Sequence, residues 1–450
     1  MRTITPVSTR PRGLPTPREL AALTGDRDRY IDLIRIVSLL VVVAGHSIML
    51  TVDTAGDSIL LGNTLGEIPA LQAATWLLQV LPLFFFAGAA ASTHAWRSRA
   101  ATDAPSAGQW LFGRAQRLLR PVVWYLSAVV ATLVILGGTG HDAAVDVVAR
   151  LSVQLLWFLG AYLLVLAVVP FLQRVRTTGH IAIALAACWG STALVDAVRL
   201  SGGPSWLGYA GFLTVWTLPA VLGVAHAKRI LRPAIAGVVA ACALVVDICL
   251  VVWGPYEMSL VTVPGQQLSN MNPPSLLLAG HAIVLCAGAI ALWGVLAGIA
   301  DRPRVWWWVV LGNRGAMTLY LWHLPVLAAI VALGAAAGFD RADAHSMSFP
   351  IVVATQTALL LILMVPVLVL LSPLENRPLP WWDDPVARRA GRARDAALVS
   401  LVVVVGIAVL MVARSGLVGD GLVYLLIAAG GALGARCLAL GIDPEARPRT

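Results

Sequence analysis

The sequence predicts an all-α fold, a polytopic bundle of about 12 transmembrane helices, and three observations carry that expectation. Of the 450 residues, 59% are hydrophobic and only 12% charged, with a mean hydropathy of +0.82, whereas soluble domains are roughly half apolar and a quarter charged. The apolar residues gather into blocks of about 20, the length a helix needs to cross a hydrocarbon core of roughly 30 Å, separated by polar or Pro/Gly-rich breaks. Arginines fall in alternate connections, as the positive-inside rule requires of a chain that crosses repeatedly.

Taken in order, the spans are expected near 32–53, 70–93, 121–139, 151–172, 180–199, 206–227, 233–253, 275–299, 313–335, 349–372, 396–414 and 417–440. Basic residues precede the first block as in a signal peptide, but its length and the lack of a small-residue cleavage site make it a retained span. Residues 1–29, rich in Arg, Pro and Thr, read as a flexible basic tail. Arginine clusters then recur at Arg97–Arg120, Arg174 and Arg176, Lys228–Arg232, Arg302 and Arg304, Arg377–Arg394, and Arg436–Arg449. An even number of spans with both termini in the cytoplasm satisfies the whole series, and the expected location is the plasma membrane. The formal charge of +9 is thereby assigned to topology and to anionic membrane lipid rather than nucleic acid, since no soluble basic module with interleaved aromatics carries it. The five cysteines all lie in expected spans without metal-ligand spacing, so neither a disulfide nor a metal site is implied. An Arg-rich linker at 376–395 separates a further hydrophobic pair, 396–440, from the preceding spans, and 441–450 reads as a second cytoplasmic tail.

Chemistry concentrates in the first span, RDRYIDLIRIVSLLVVVAGHS, where Asp32, Arg35 and His46 interrupt an apolar helix. Intramembrane ionisable residues are costly and need a reason. Spacings of three and eleven residues put all three on one helical face. The rise of 1.5 Å per residue separates Arg35 from His46 by roughly 16 Å, a gap that an extended cofactor arm could bridge. The structural reading of Asp32 and Arg35 is an i,i+3 ion pair at a helix end, and that of His46 a hydrogen bond between helices. The functional reading of His46 is a general base, because a desolvated imidazole favours the neutral form that removes a proton from an attacking alcohol. Ser47 points about 100° away and reads as packing. Further on, Arg114, Arg117 and Arg120 form a ridge at the membrane surface suited to phosphate oxygens, or else to topological flanking. The outer connection 254–274, rich in amides and hydroxyls, reads either as a cover over an acceptor or as an ordinary loop.

In combination these motifs resemble the acyltransferase-3 family of integral membrane acyltransferases. Asp32, Arg35 and His46 match its first-helix pattern, and its RxxR motif is matched either by Arg114 with Arg117 or by Arg117 with Arg120. The segment LGNRGAMTLYLWHLP resembles its late-helix pattern through Tyr320, His323 and Pro325, and LLWFLGAYLL is similar to its aromatic fourth helix. The resemblance implies a ten-helix acyltransferase core over 30–375, with the hydrophobic pair added to it. It implies transfer of an acyl group, here expected to be acetyl, from cytoplasmic acyl-CoA to a hydroxyl of a carbohydrate, glycolipid or glycosylated metabolite. By the same resemblance His46 is the catalytic base, Asp32 orients Arg35, and Arg35 with Arg114, Arg117 and Arg120 holds the donor phosphates. His323 is a second cavity candidate, as is Tyr320. The alternative is a secondary transporter, for which Asp196 and Asp247 are the available acids; both lie toward outer helix ends with no evident cationic partner in their own spans.

Overall fold

The computed structural model describes residues 16–24, 27–55, 58–97, 105–266, 268–336, 349–386 and 391–440. Residues 1–15 and 25–26 of the expected tail 1–29, the tail 441–450, and the topological arginines Arg99, Arg388 and Arg389 lie outside the described residues. Among the described residues, 11 helical spans are long and apolar enough to cross a membrane, or 12 with one bent pair counted.

A short helix, α1 (Pro17–Leu23), precedes the first span, α2 (Arg29–Met49), which begins where the Asp28 side chain accepts from the Ile31 amide. The span ends four residues before its expected limit, because the Thr- and Val-bearing segment after Met49 enters an antiparallel hairpin, β1 (Leu50–Ala55) with β2 (Ser58–Asn63). The hairpin departs from the otherwise helical plan. Two short turns, α3 (Thr64–Glu67) and α4 (Thr75–Leu78), lead into α5 (Leu81–Arg97).

The third span, α6 (Ala107–Gly138), starts well before the expected residue 121. Ser106 and Gln109 close a capping box there, and Pro121 is carried inside the helix, so Arg114, Arg117 and Arg120 all sit on it. Next come α7 (Asp142–Gln154) with α8 (Leu156–Leu172), then α9 (Thr178–Leu200), α10 (Gly211–Ala227) and α11 (Pro233–Val252). The eighth span is broken, since α12 (Leu276–Ala291) and α13 (Trp293–Ala300) meet at 66°. An amphipathic α14 (Pro303–Arg314) then runs to α15 (Ala316–Ala336), and α16 (Phe349–Glu375) returns to the basic end.

The final pair, α17 (Arg392–Ser415) and α18 (Asp420–Ala439), is packed into the bundle against α8 and α6. Glycines permit that contact: a Cβ added at Gly160 would stand 2.6 Å from the carbonyl oxygen of Gly406. Trp206 and Trp253 are exposed at the end of the bundle formed by the connections after α9 and α11, and Trp308 and Trp381 are exposed at the opposite end.

Candidate active site

Helix α2 presents its polar residues along one face. Asp32, buried in the first turn, lies between two guanidinium groups, Arg27 at 2.6 Å and Arg35 at 3.7 Å. Arg35 therefore shares its acid with Arg27, a partner the spacing argument did not find because it stands outside the helix. Asn313 of α14 donates to the Asp32 carbonyl oxygen at 2.9 Å, and Ile36 fills the space beside Gly312, so α14 seats this turn against the bundle.

At the far end of the same face, His46 meets His323 of α15. Their Nδ1 and Nε2 atoms are 2.9 Å apart and their rings are stacked, 18° from parallel. His323 is fully buried, and its Nδ1 lies 2.9 Å from the Leu319 carbonyl oxygen. That oxygen can only accept, so His323 Nδ1 carries a hydrogen. With both rings neutral, His323 Nε2 is then an acceptor, His46 Nδ1 donates to it, and the lone pair on His46 falls on Nε2. The chain of bonds runs from a backbone carbonyl through two imidazoles to one basic nitrogen, and it fixes a tautomer without a carboxylate.

Tyr320, one turn earlier, donates its hydroxyl to the Leu155 carbonyl oxygen and packs edge-on to Phe158, fastening α15 to the start of α8. Ser47 is buried, its hydroxyl accepting from Thr357 and its carbonyl from Gln356, so it packs α2 on α16. Glu375 does the same for α15, accepting from Thr318 at 2.6 Å and from the Trp322 indole at 2.8 Å.

The three arginines of α6 have different partners. Arg120 is ion-paired at 3.3 Å with Asp383 of the linker, in a largely buried contact. The preceding residue of the linker, Trp382, donates to the Gln116 carbonyl oxygen at 3.1 Å and accepts from the Gln116 amide. Arg117 is exposed and folds back to donate to the Gly113 carbonyl oxygen. Arg114 has no acidic partner among the described residues; it reaches Ser92 at 3.5 Å and lies over the Trp110 ring. Arg114 and Arg35 lie close enough to the Tyr162 hydroxyl of α8 to feel its charge. Tyr162 belongs to the aromatic segment read in the sequence, where nothing marked the hydroxyl apart from its neighbours.

The transporter acids are differently placed from the expectation for one of them. Asp196 does have a cation in its own span, Arg199 at 2.9 Å, three residues on and therefore within one helical turn. It also accepts from the Tyr256 hydroxyl and the Leu276 amide, so it ties the outer loop to the start of α12. Asp247 is buried with neither carboxyl oxygen hydrogen-bonded.

The acyltransferase-3 family profile, described as an acyltransferase domain, matches residues 28–373. The match covers most of the chain, from the N-cap of α2 to the last turn of α16. The chain belongs to this family and is, in general class, a membrane acyltransferase. No curated protein and no solved structure matches it significantly.

Proposed function

We propose that this protein is an O-acyltransferase that moves an acyl group, acetyl in the simplest case, from cytoplasmic acyl-CoA to a hydroxyl of a glycan, glycolipid or glycosylated metabolite at or across the membrane. The observation that carries the reading is the bond chain from Leu319 through His323 to His46, which leaves one imidazole nitrogen basic at the end of a polar face that begins with arginines. In this scheme His46 Nε2 takes the proton of the acceptor hydroxyl as its oxygen attacks the thioester carbonyl. The tetrahedral adduct expels the coenzyme thiolate, which receives that proton back from His46. The ester and the free thiol are the products.

Donor phosphates are assigned to Arg35 and to Arg114 with Arg117, since Arg120 is engaged by Asp383. Asp32 holds Arg35 in place. Arginine suits this task because its planar donors match phosphate oxygens. The rise along α2 from Arg35 to His46, roughly 16 Å, leaves room for the pantetheine arm between head and reacting thioester.

The test is His46→Asn, which keeps a polar side chain of similar size but cannot accept the proton. General-base catalysis is worth about 10²- to 10⁴-fold, so transfer of labelled acyl group should fall by that much while donor binding stays near wild type. Full transfer by the Asn variant, at matched membrane abundance, would remove His46 from the mechanism.

A further inference from the structure

A cavity of about 850 Å³ opens at the basic end of the bundle, beyond Asp32 and away from the histidines. Its walls come from the first turn of α2, the last turn of α5, the connection between α10 and α11, and α13. The 66° break at Leu292 turns α13 away from the line of α12, and Trp293 at its start lines the cavity. The volume lies within the range of sites that enclose a small organic ligand.

Arg229 is the unusual residue there. It stands just past the C-terminus of α10, where Ile230 N bonds to Ala225 O and Arg229 N to His226 O, the bond pair of a Schellman motif. The motif puts Arg229 in the left-handed region, at φ 56°, a position that glycine fills most easily. Backbone preference therefore argues against arginine at this site, and the side chain is what the position retains. Its guanidinium lies 3.8 Å from the centre of the Trp293 ring.

The acids lining the cavity are engaged by other groups. Asp28 accepts from the Ile31 amide as the cap of α2 and lies 3.4 Å from the His94 ring, Asp32 is held by Arg27 and Arg35, and Asp301 lies 3.7 Å from Arg29. Arg229 is the lining arginine with no acidic partner among the described residues. It is a cation held against the Trp293 ring in the wall of a ligand-sized cavity that shares Asp32 with the Arg35 end of the polar face.

We infer that this cavity receives the 3′-phosphorylated nucleotide end of the acyl donor, and that Arg229 binds the 3′-phosphate. The inference rests on the donor proposed above. Asp32 and His46 are fourteen residues apart on α2, a rise of roughly 21 Å, so a coenzyme bound this way would extend along the polar face with its thioester toward His46.

The experiment compares binding of acetyl-CoA and of its 3′-dephospho analogue to the full chain in phosphatidylcholine nanodiscs, for wild type, Arg229→Gly and Arg229→Lys. A charge-assisted hydrogen bond of the usual strength makes the wild type prefer the phosphorylated donor by roughly 10- to 100-fold. Arg229→Gly suits the left-handed backbone and keeps the fold, so it should bind both donors with the affinity wild type shows for the analogue. Arg229→Lys should retain part of the preference. An unchanged preference in the Gly variant overturns the assignment. Equal binding of the two donors by wild type removes the subsite but leaves the donor reading intact, whereas failure of wild type to bind either removes both.

Discussion

At the scale of single residues, the proposed mechanism divides the work of one base between two side chains in contact, His46 and His323. In that scheme His46 supplies the nitrogen, and His323 determines which nitrogen it is by accepting from the other one. This makes His323 a positioning residue with a definable replacement. The Oε1 of Gln can accept from His46 Nδ1, whereas Leu cannot. His323→Gln should therefore keep much more transfer than His323→Leu, with donor binding unaltered in both; equal activity of the two would show that the tautomer is set some other way. Asp32, Arg35 and His46 were legible because a helical period aligns them within a single span. Their partners were not, since His323 is 277 positions from His46 and a single sequence carries no record of which distant residues face each other. Arg27 escaped for a different reason: it lies before the helix, where no periodicity applies.

At the scale of elements, α6 shows why the overlapping RxxR motifs could not be separated by reading alone. Both pairs have the same spacing and lie on the same ridge, and what distinguishes them is the linker. Asp383 and Trp382 close on Arg120 and Gln116 from one side, while Arg114 is turned toward α5 and α8. Arg114→Ala should weaken acyl-CoA binding without lowering thermal stability. Arg120→Ala should do the reverse, because it strands Asp383 in a largely buried contact and loosens the linker. Binding isotherms and melting curves on the same preparations would show the contrast, and loss of donor affinity in both variants would restore Arg120 to the phosphate site. The spans themselves were legible from hydropathy, with two instructive errors. The third span was expected from residue 121, yet the capping box at Ser106 starts its helix at Ala107, fourteen residues earlier, with Pro121 tolerated inside. The break at Leu292 had no signal, because the run through it is continuously apolar without proline.

At the scale of the whole molecule, alternation of basic and arginine-poor connections assigns the Arg229 cavity and the α6 ridge to one membrane face and the outer loop near Gly265 to the other. A reporter fused after Arg99 should sit in the cytoplasm and one near Gly265 on the opposite side; both on one side would end the argument for access from two faces. The additional pair α17 and α18 lies beyond the residues matched by the family profile, yet it is packed on α8 through the Gly160–Gly406 approach. Asp395 at its start accepts from the Gly108 amide at 2.7 Å and so anchors the first turn of α6. The exposed tryptophans at the two ends have a consequence of another kind. Indole rings settle at the boundary between acyl chains and headgroups, so Trp206 and Trp253 on one side and Trp308 and Trp381 on the other act as two fixed floats. A bilayer thicker or thinner than their separation must deform or tilt the protein, at a cost that grows with each ångström of hydrophobic mismatch. The lipid composition around this enzyme is thereby coupled to the tilt of α2, and through it to the alignment of one polar face with two aqueous compartments.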